Sequence, residues 1–264
     1  MKVPCLAAAG LALFASVAFA LTGCSSSSTP SGGSSASSVP SSAPASSPKE
    51  TVQAAVKKLN DTSYKYTIGT AGQTGQGSVD PTAKKASLSL TGTLSSLNVK
   101  LDLLQVGSDY WMKLDLGSQN ATLSLPTKWM HIDPSKFKNA AALGIDPSKV
   151  DPTQVTGLFD GLTDAKKVDA THYDVTLDLT KSTGGAVDSS TTTKLGDKAK
   201  SMPAKVTLDD QGRLVAVTLD LSSVNADASI NATYSDYGSP AAISAPAAAD
   251  VVEAPPALYQ IFNS

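Results

Sequence analysis

Residues 97–116 read LNVKLDLLQVGSDYWMKLDL, and this stretch decides the fold class. Apolar side chains occupy every second position from Leu97 to Leu103, and again from Tyr110 to Leu116. The intervening Gly107-Ser108-Asp109 is typical of a tight turn. Alternation with a period of two puts the apolar side chains on one face of a strand. The stretch therefore predicts an antiparallel hairpin with one apolar and one polar face.

The same alternation returns along most of the chain. It occupies residues 64–68, 87–91, 173–179, 206–208, 215–221 and 230–234. Asp209-Asp210-Gln211-Gly212 lies between two of these runs and predicts another hairpin. The fold class predicted is α+β: a large curved antiparallel sheet, a half-open barrel of about nine to eleven strands, with short helices on its concave apolar face.

Helix signals are few and short. Ser47 and Glu50 form a capping box around Pro48, which predicts a helix ending near Asn60-Asp61. Asp133-Pro134 and Asp151-Pro152 each predict a short helical turn, and residues 191–201 a weaker one. Of the acidic residues, 21 are Asp and only two are Glu, which favours caps and turns over helix interiors.

Charge and composition exclude several classes of function. The 264 residues carry a formal net charge of −2 and a single arginine, Arg213. A nucleic-acid-binding surface needs a dense positive charge, so no nucleic-acid partner is predicted. Two Cys and two His leave little material for a metal site, and no metal or other cofactor is predicted.

The N-terminal segment has the pattern of a targeting signal. Residues 1–23 begin with Met1-Lys2 and continue almost wholly apolar, which is typical of a signal peptide or of an uncleaved anchor helix. Leu21-Thr22-Gly23-Cys24 resembles the bacterial lipobox and favours the signal peptide, with Cys24 as the lipidated residue. Residues 24–48 are rich in Ser and Pro and predict a disordered tether. We therefore expect a cell-membrane protein, anchored by lipid on the extracytoplasmic face.

Motifs in the remaining chain resemble those of the LppX/LprG/LprF family of mycobacterial envelope lipoproteins. They are Thr51-Val52-Gln53-Ala54-Ala55, Gly77-Ser78-Val79-Asp80-Pro81, Tyr110-Trp111-Met112-Lys113-Leu114, Tyr234 to Pro240, and Ile243-Ser244-Ala245-Pro246. The resemblance implies a single domain over residues 49–246, similar to LolA and LolB, followed by a tail over 247–264. It also implies a non-catalytic protein that binds or carries acylated lipids or lipoglycans, with an envelope transporter as a further partner to test.

The aliphatic strand faces are the candidate lining of a lipid cavity. The candidates are Leu88, Leu90, Leu101, Leu103, Met112, Leu114, Val175, Leu177, Val217 and Leu219. A wide aliphatic sheet with few helices to fill it favours a cavity suited to acyl chains. The alternative is a completely packed interior, as expected of a surface-exposed interaction or sensory lipoprotein without lipid cargo.

Residue types for catalysis are present without a spacing that supports it. His172 and Asp174 share one strand face, and this pair is the whole basis for a hydrolase hypothesis. The face is the polar one, which favours a solvated pair, and we predict that the protein is not an enzyme. Asp133, Asp146, Asp151 and Asp209-Asp210 precede Pro or lie in turns, which favours capping over calcium binding.

Overall fold

The computed structural model describes residues 46–263 apart from 71, 95–96, 147–149, 184, 188, 224–227 and 240–241. All of these residues belong to one compact unit, Pro44–Ser264, which we call the folded unit. The predicted signal peptide, Cys24 and the tether up to residue 45 lie outside the described residues.

The folded unit contains one sheet of twelve strands. The strands are β1 Tyr64–Thr70, β2 Gln73–Asp80, β3 Lys85–Leu94, β4 Leu97–Val106, β5 Asp109–Asp115, β6 Trp129–Ile132, β7 Leu162–Lys167, β8 His172–Leu177, β9 Met202–Leu208, β10 Leu214–Asp220, β11 Ser229–Ser235 and β12 Val251–Glu253. Their spatial order is β12-β6-β5-β4-β3-β2-β1-β11-β10-β9-β8-β7, so the sheet is open at β12 and β7. Neighbours are antiparallel except β12 and β6, which run parallel.

The helices are short. They are α1 Pro48–Lys57, α2 Gln119–Thr122, α3 Val155–Leu158, α4 Ser189–Leu195 and α5 Pro256–Asn263. Short 3-10 segments extend α1, α3 and α4 at Lys58–Asn60, Phe159–Gly161 and Gly196–Ser201. The predicted α+β class, with a large curved antiparallel sheet and short helices, is confirmed, but the sheet has twelve strands instead of about nine to eleven because β12 lies in the predicted tail.

The register explains why one face of the sheet is apolar. Leu101 lies opposite Leu90 on one side and Leu114 on the other, and Leu103 lies between Leu88 and Met112. Side chains that lie directly opposite on neighbouring strands contact one another, so the alternation of each strand adds to a continuous apolar row. The hairpin predicted from residues 97–116 is β4–β5, with its turn at Gly107 and Ser108.

Helix α1 covers the half of the sheet that ends at β7. Ser47 Oγ accepts a hydrogen bond from the Glu50 backbone N–H, and the Glu50 carboxylate accepts one from the Ser47 N–H, so the predicted capping box is confirmed. The helix packs against β7, β10 and α3. Its buried face consists of Val52, Ala55 and Val56, so it closes this half of the concave face.

A tyrosine crosses a glycine at the middle of the sheet. Tyr66 lies opposite Gly77 in the β1–β2 register, and its hydroxyl donates to the Ser87 carbonyl oxygen of β3 at 2.8 Å. A Cβ atom on Gly77 would lie 2.6 Å from the Tyr66 hydroxyl oxygen. Only a residue without a side chain lets the ring pass over β2 to reach β3.

The predicted tail over residues 247–264 needs correction. Val251–Glu253 pair with β6 as strand β12. Leu258 and Tyr259 of α5 are buried in the hydrophobic core. The folded unit therefore extends beyond residue 246 and includes both of these elements.

Candidate functional site

A groove of about 400 Å³ lies at one end of the concave face. It is found where β1 turns into β2, where β3 turns into β4, and where β5 ends. We call it the apolar groove. Its volume is within the range of ~300–1,000 Å³ that small-molecule sites occupy.

The floor of the apolar groove consists of leucines from two neighbouring rows of the sheet. Leu88, Leu90, Leu101 and Leu114 line it from β3, β4 and β5. Leu88 and Leu114 are buried, whereas Leu90 and Leu101 are half-buried. Half-buried leucines grouped around an open space present apolar surface that a ligand of the same character would cover.

A glycine lets the floor pack closely. Gly75 of β2 lies opposite Ile68 and Leu90 in the sheet. A Cβ atom there would lie 2.8 Å from Ile68 Cγ1 and 3.3 Å from Leu88 Cδ1. Ile68 and Leu88 therefore fill the place that a side chain at position 75 would take.

The C-terminal helix forms a wall of the groove through Ile261 and Phe262. The Phe262 ring packs edge-on against Phe137, with ring centroids 5.9 Å apart. The Asn263 side chain donates to the Lys136 carbonyl oxygen and accepts from the Lys138 backbone N–H. These contacts hold α5 against the loop that follows β6.

Polar groups collect where the groove meets water. Thr70 is exposed and lies opposite the half-buried Gln73 in the β1–β2 register, and both line the groove. Thr153 and Gln154 line it from the start of α3. Gln154 has a φ of 56°, a left-handed conformation that is unusual for a residue other than glycine. Hydroxyl and amide groups thus supply the polar part of the lining.

The ten candidate lining residues separate into two groups. Leu88, Leu90, Leu101 and Leu114 line the apolar groove. The other six are buried in the core without lining it: Leu103, Met112, Val175, Leu177, Val217 and Leu219. For those six residues the predicted apolar face is correct, but the side chains are buried in the hydrophobic core and do not border the groove.

Sequence reasoning missed the residues that come from outside the long alternating runs. Ile261 and Phe262 belong to the predicted tail, although Leu258, Ile261 and Phe262 give it a helical apolar spacing. Gly75 carried no signal, because the lack of a side chain leaves no pattern to read. Pro152 and Leu143 come from loops whose path depends on tertiary structure.

His172 pairs with Asp169 and not with Asp174. Its Nδ1 donates to the Asp169 carboxylate at 2.9 Å, whereas Asp174 lies between Lys166 and Lys205 in the strand register. The His172 side chain is 57% exposed. Hydrogen bonds from the Thr171 backbone N–H and from His172 hold the pKa of Asp169 well below its usual range. The geometry is that of a solvated turn between β7 and β8.

His131 and the tryptophans lie near the β12 edge. His131 is 3.3 Å from an Asp109 carboxylate oxygen and 3.4 Å from one of Glu253, and its ring lies 5.8 Å from that of Trp111. Trp111 and Trp129 are half-buried and do not line the apolar groove. These contacts tie β12 to β5 and β6.

The aspartates at turns act as caps. Asp133 accepts from the Ser135 backbone N–H, Asp151 from that of Thr156, and Asp209 from those of Gln211 and Arg213. The turn interpretation is therefore confirmed for these three. Among the residues that the structure describes, no three His, Cys, Asp or Glu side chains come together as a metal site would require.

Comparison with known proteins finds no family model that matches the chain and no curated protein that matches its sequence. The resemblance to the LppX/LprG/LprF family stays a prediction. Within the described part of the chain, no helix has the length and apolar character needed to span a membrane.

Proposed function

We propose that this protein is a lipid-anchored lipoprotein on the extracytoplasmic face of the cell membrane, and that it binds or carries acylated envelope lipids without catalysing a reaction on them. The observation that carries the proposal is the apolar groove of about 400 Å³. Its floor is aliphatic, and Leu90 and Leu101 are only half-buried there. An acyl chain would complete their burial.

The energetics of such a ligand favour binding. Each methylene group moved from water into an apolar environment contributes ~0.8 kcal/mol. Some of this gain is offset by the entropy lost when the chain is ordered. A membrane-tethered carrier needs only moderate affinity, because it must also release its cargo.

The second candidate is an interaction or sensory lipoprotein with a packed interior. The half of the sheet under α1 fits that description, since Leu177, Leu214 and Leu219 are fully buried there. The apolar groove favours the lipid-binding proposal instead, because a packed interior would leave no such volume next to half-buried leucines.

The test uses two matched variants of strand β4. Leu101 lines the apolar groove, and Leu104 lies on the opposite face of the same strand. The full-length protein, Leu101→Trp and Leu104→Trp are purified from membranes, and co-purifying lipids are identified by native mass spectrometry and extraction. We expect a bound acylated lipid in the wild type and in Leu104→Trp, and loss of most of it in Leu101→Trp.

The proposal would be overturned by a wild-type protein that is free of lipid and takes up none from vesicles. Equal lipid recovery from the two tryptophan variants would also contradict it, because filling the groove would then have no effect. The anchor is tested separately by Cys24→Ser. We expect this change to remove the lipid mass from the N-terminal peptide and to shift the protein out of the membrane fraction.

A further inference from the structure

We infer that the apolar groove selects a ligand with a single acyl chain attached to an uncharged polar head. This inference rests on the proposed function and names the ligand class for the same site. Two properties of the groove carry it: its volume, and the absence of charge among the described residues that line it.

The volume sets the number of chains. A water molecule occupies ~30 Å³ in the liquid, and a methylene group is of similar size. A groove of about 400 Å³ therefore holds roughly a dozen such groups. That matches one medium-length chain, and a second chain would extend beyond the groove. The Phe262 ring, held against Phe137, limits any increase in volume on the α5 side.

The lining sets the charge of the head. The described lining consists of aliphatic, aromatic, glycine, proline, threonine and glutamine residues, with no Lys, Arg, His, Asp or Glu among them. A phosphate or carboxylate drawn to this surface would lose hydration without gaining a counter-charge. An uncharged head loses far less on transfer, since hydroxyl and amide groups can replace its hydrogen bonds to water.

The polar end of the groove supplies those groups. Thr70 and Gln73 line it from the β1–β2 hairpin, and they lie opposite each other in the register. Thr70 offers a hydroxyl and Gln73 an amide, and both groups can donate and accept. A glycerol or sugar head has several hydroxyl groups to pair with them. The chain would then lie along Leu90 and Leu101, towards Phe262.

The experiment compares three photoactivatable lipids that differ in one property each. They carry the same medium-length acyl chain with a diazirine and an alkyne: a monoacylglycerol, a lysophosphatidylglycerol with one chain and a negative charge, and a diacylglycerol with two chains. Each is added at equal concentration to the full-length protein in phosphatidylcholine nanodiscs. After illumination, labelled peptides are mapped and quantified by mass spectrometry, with Leu101→Trp giving the background.

We expect the monoacylglycerol to label peptides of the groove at least ~10-fold more than the lysophosphatidylglycerol, because the charged head lacks a partner. It should also exceed the diacylglycerol several-fold, because the second chain does not fit. Equal or stronger labelling by the charged lipid would overturn the assignment of the head. Equal or stronger labelling by the diacylglycerol would overturn the chain number. In both cases the proposed function would survive.

Labelling by none of the three lipids above the Leu101→Trp background would instead contradict the proposed function itself. A second pair of variants tests where the head lies. Gln73 lines the groove, and Gln76 lies on the opposite face of the same strand. Gln73→Lys should raise labelling by the lysophosphatidylglycerol several-fold, and Gln76→Lys should leave it unchanged. No difference between these two variants would overturn the placement of the head at this end.

Discussion

The two halves of the sheet are built from the same kind of alternating strand, yet only one of them is closed. In the packed half, β8 to β10 carry Leu177, Leu214 and Leu219, each with no measurable exposure. In the groove half, β3 and β4 carry Leu90 and Leu101, which remain half-buried. The difference lies in what covers the strands.

The packed half is covered by α1, whose Val52 and Ala55 are fully buried. Among the described residues, the groove half is bordered by the end of α5 and by two loops. An alternating strand therefore establishes that one face is apolar. Whether that face becomes core or binding surface depends on the cover.

The largest expected effect is a difference in stability between two Leu→Ala variants. Leu219→Ala in the packed half should lower the free energy of unfolding by ~3 kcal/mol, because a cavity remains in a closed core. Leu101→Ala in the groove half should cost only ~1 kcal/mol, since this side chain already borders open space. Urea denaturation measures both. Equal losses would show that the two halves do not differ in packing.

The second-largest loss of stability is expected where the Tyr66 ring crosses β2. Gly77→Ala should destabilise by ~2 kcal/mol or more, because the new Cβ would lie 1.9 Å from the Ser87 carbonyl oxygen and must displace β3 or the Tyr66 ring. Gly69→Ala on β1 is the matched control, as nothing lies within 4 Å of its Cβ position. It should leave stability nearly unchanged. If both variants unfold at the same urea concentration, the close approach at Gly77 has no energetic weight.

Removing the Phe262 ring from the α5 wall should lower stability less, and should mainly change the rate at which a lipid leaves the groove. Phe262→Ala should cost ~1 kcal/mol, because the ring is only half-buried. It should speed the transfer of a pyrene-labelled monoacylglycerol from the protein to acceptor vesicles several-fold, as followed by stopped-flow fluorescence. Phe262→Leu keeps most of the wall and should transfer at close to the wild-type rate. Unchanged transfer in Phe262→Ala would mean that α5 does not retain the ligand.

The smallest change in the free energy of unfolding at neutral pH is expected for a substitution at Tyr110. Burial, and then the charge of Asp146, raise the pKa of Tyr110 to about 12, whereas a tyrosine in an unfolded chain titrates near ~10. Between these values the unfolded chain has released its proton and the folded chain has not. The free energy of unfolding contributed by Tyr110 therefore decreases as the pH rises through this window.

Tyr110→Phe should remove that contribution and make the alkaline loss of stability shallower. At neutral pH it should change stability by less than ~0.5 kcal/mol, because the Tyr110 hydroxyl is buried without a hydrogen-bond partner among the described residues. Urea midpoints measured at intervals from neutral to alkaline pH give both quantities. Identical alkaline slopes in the variant and the wild type would contradict the raised pKa.

Sequence patterns predicted the elements whose signal is local. The α1 cap depends on Ser47 and Glu50, three residues apart, and the β4–β5 hairpin on its own alternation and turn. Strand β2, with sequence QTGQGSVD, lacks this signal because its inward positions include Gly75 and Gly77. Edge strand β7 has mostly exposed residues and no alternation. Strands β2 and β7 form because neighbouring strands pair with them, and their own sequences carry no pattern that shows this pairing.

The apolar groove was predicted only in part for the same reason. Leu88, Leu90, Leu101 and Leu114 could be identified from alternation, yet the same rule also selected Leu177 and Leu219, which lie under cover. The distinction needs the path of α1 and α5 across the sheet. Those paths are set by contacts between segments far apart in the chain, such as the hydrogen bonds of Asn263 with Lys136 and Lys138.

The position of α5 at the end of the described chain has a consequence for biogenesis. On the proposed export from the N-terminus, β1 to β5 reach the outer side of the membrane before Ile261 and Phe262, so the floor of the groove can form before its α5 wall. During that interval the leucines of the floor have no wall beside them and are open to any apolar partner. A chaperone that covers this floor would be displaced when α5 docks, so the docking of α5 would complete the groove.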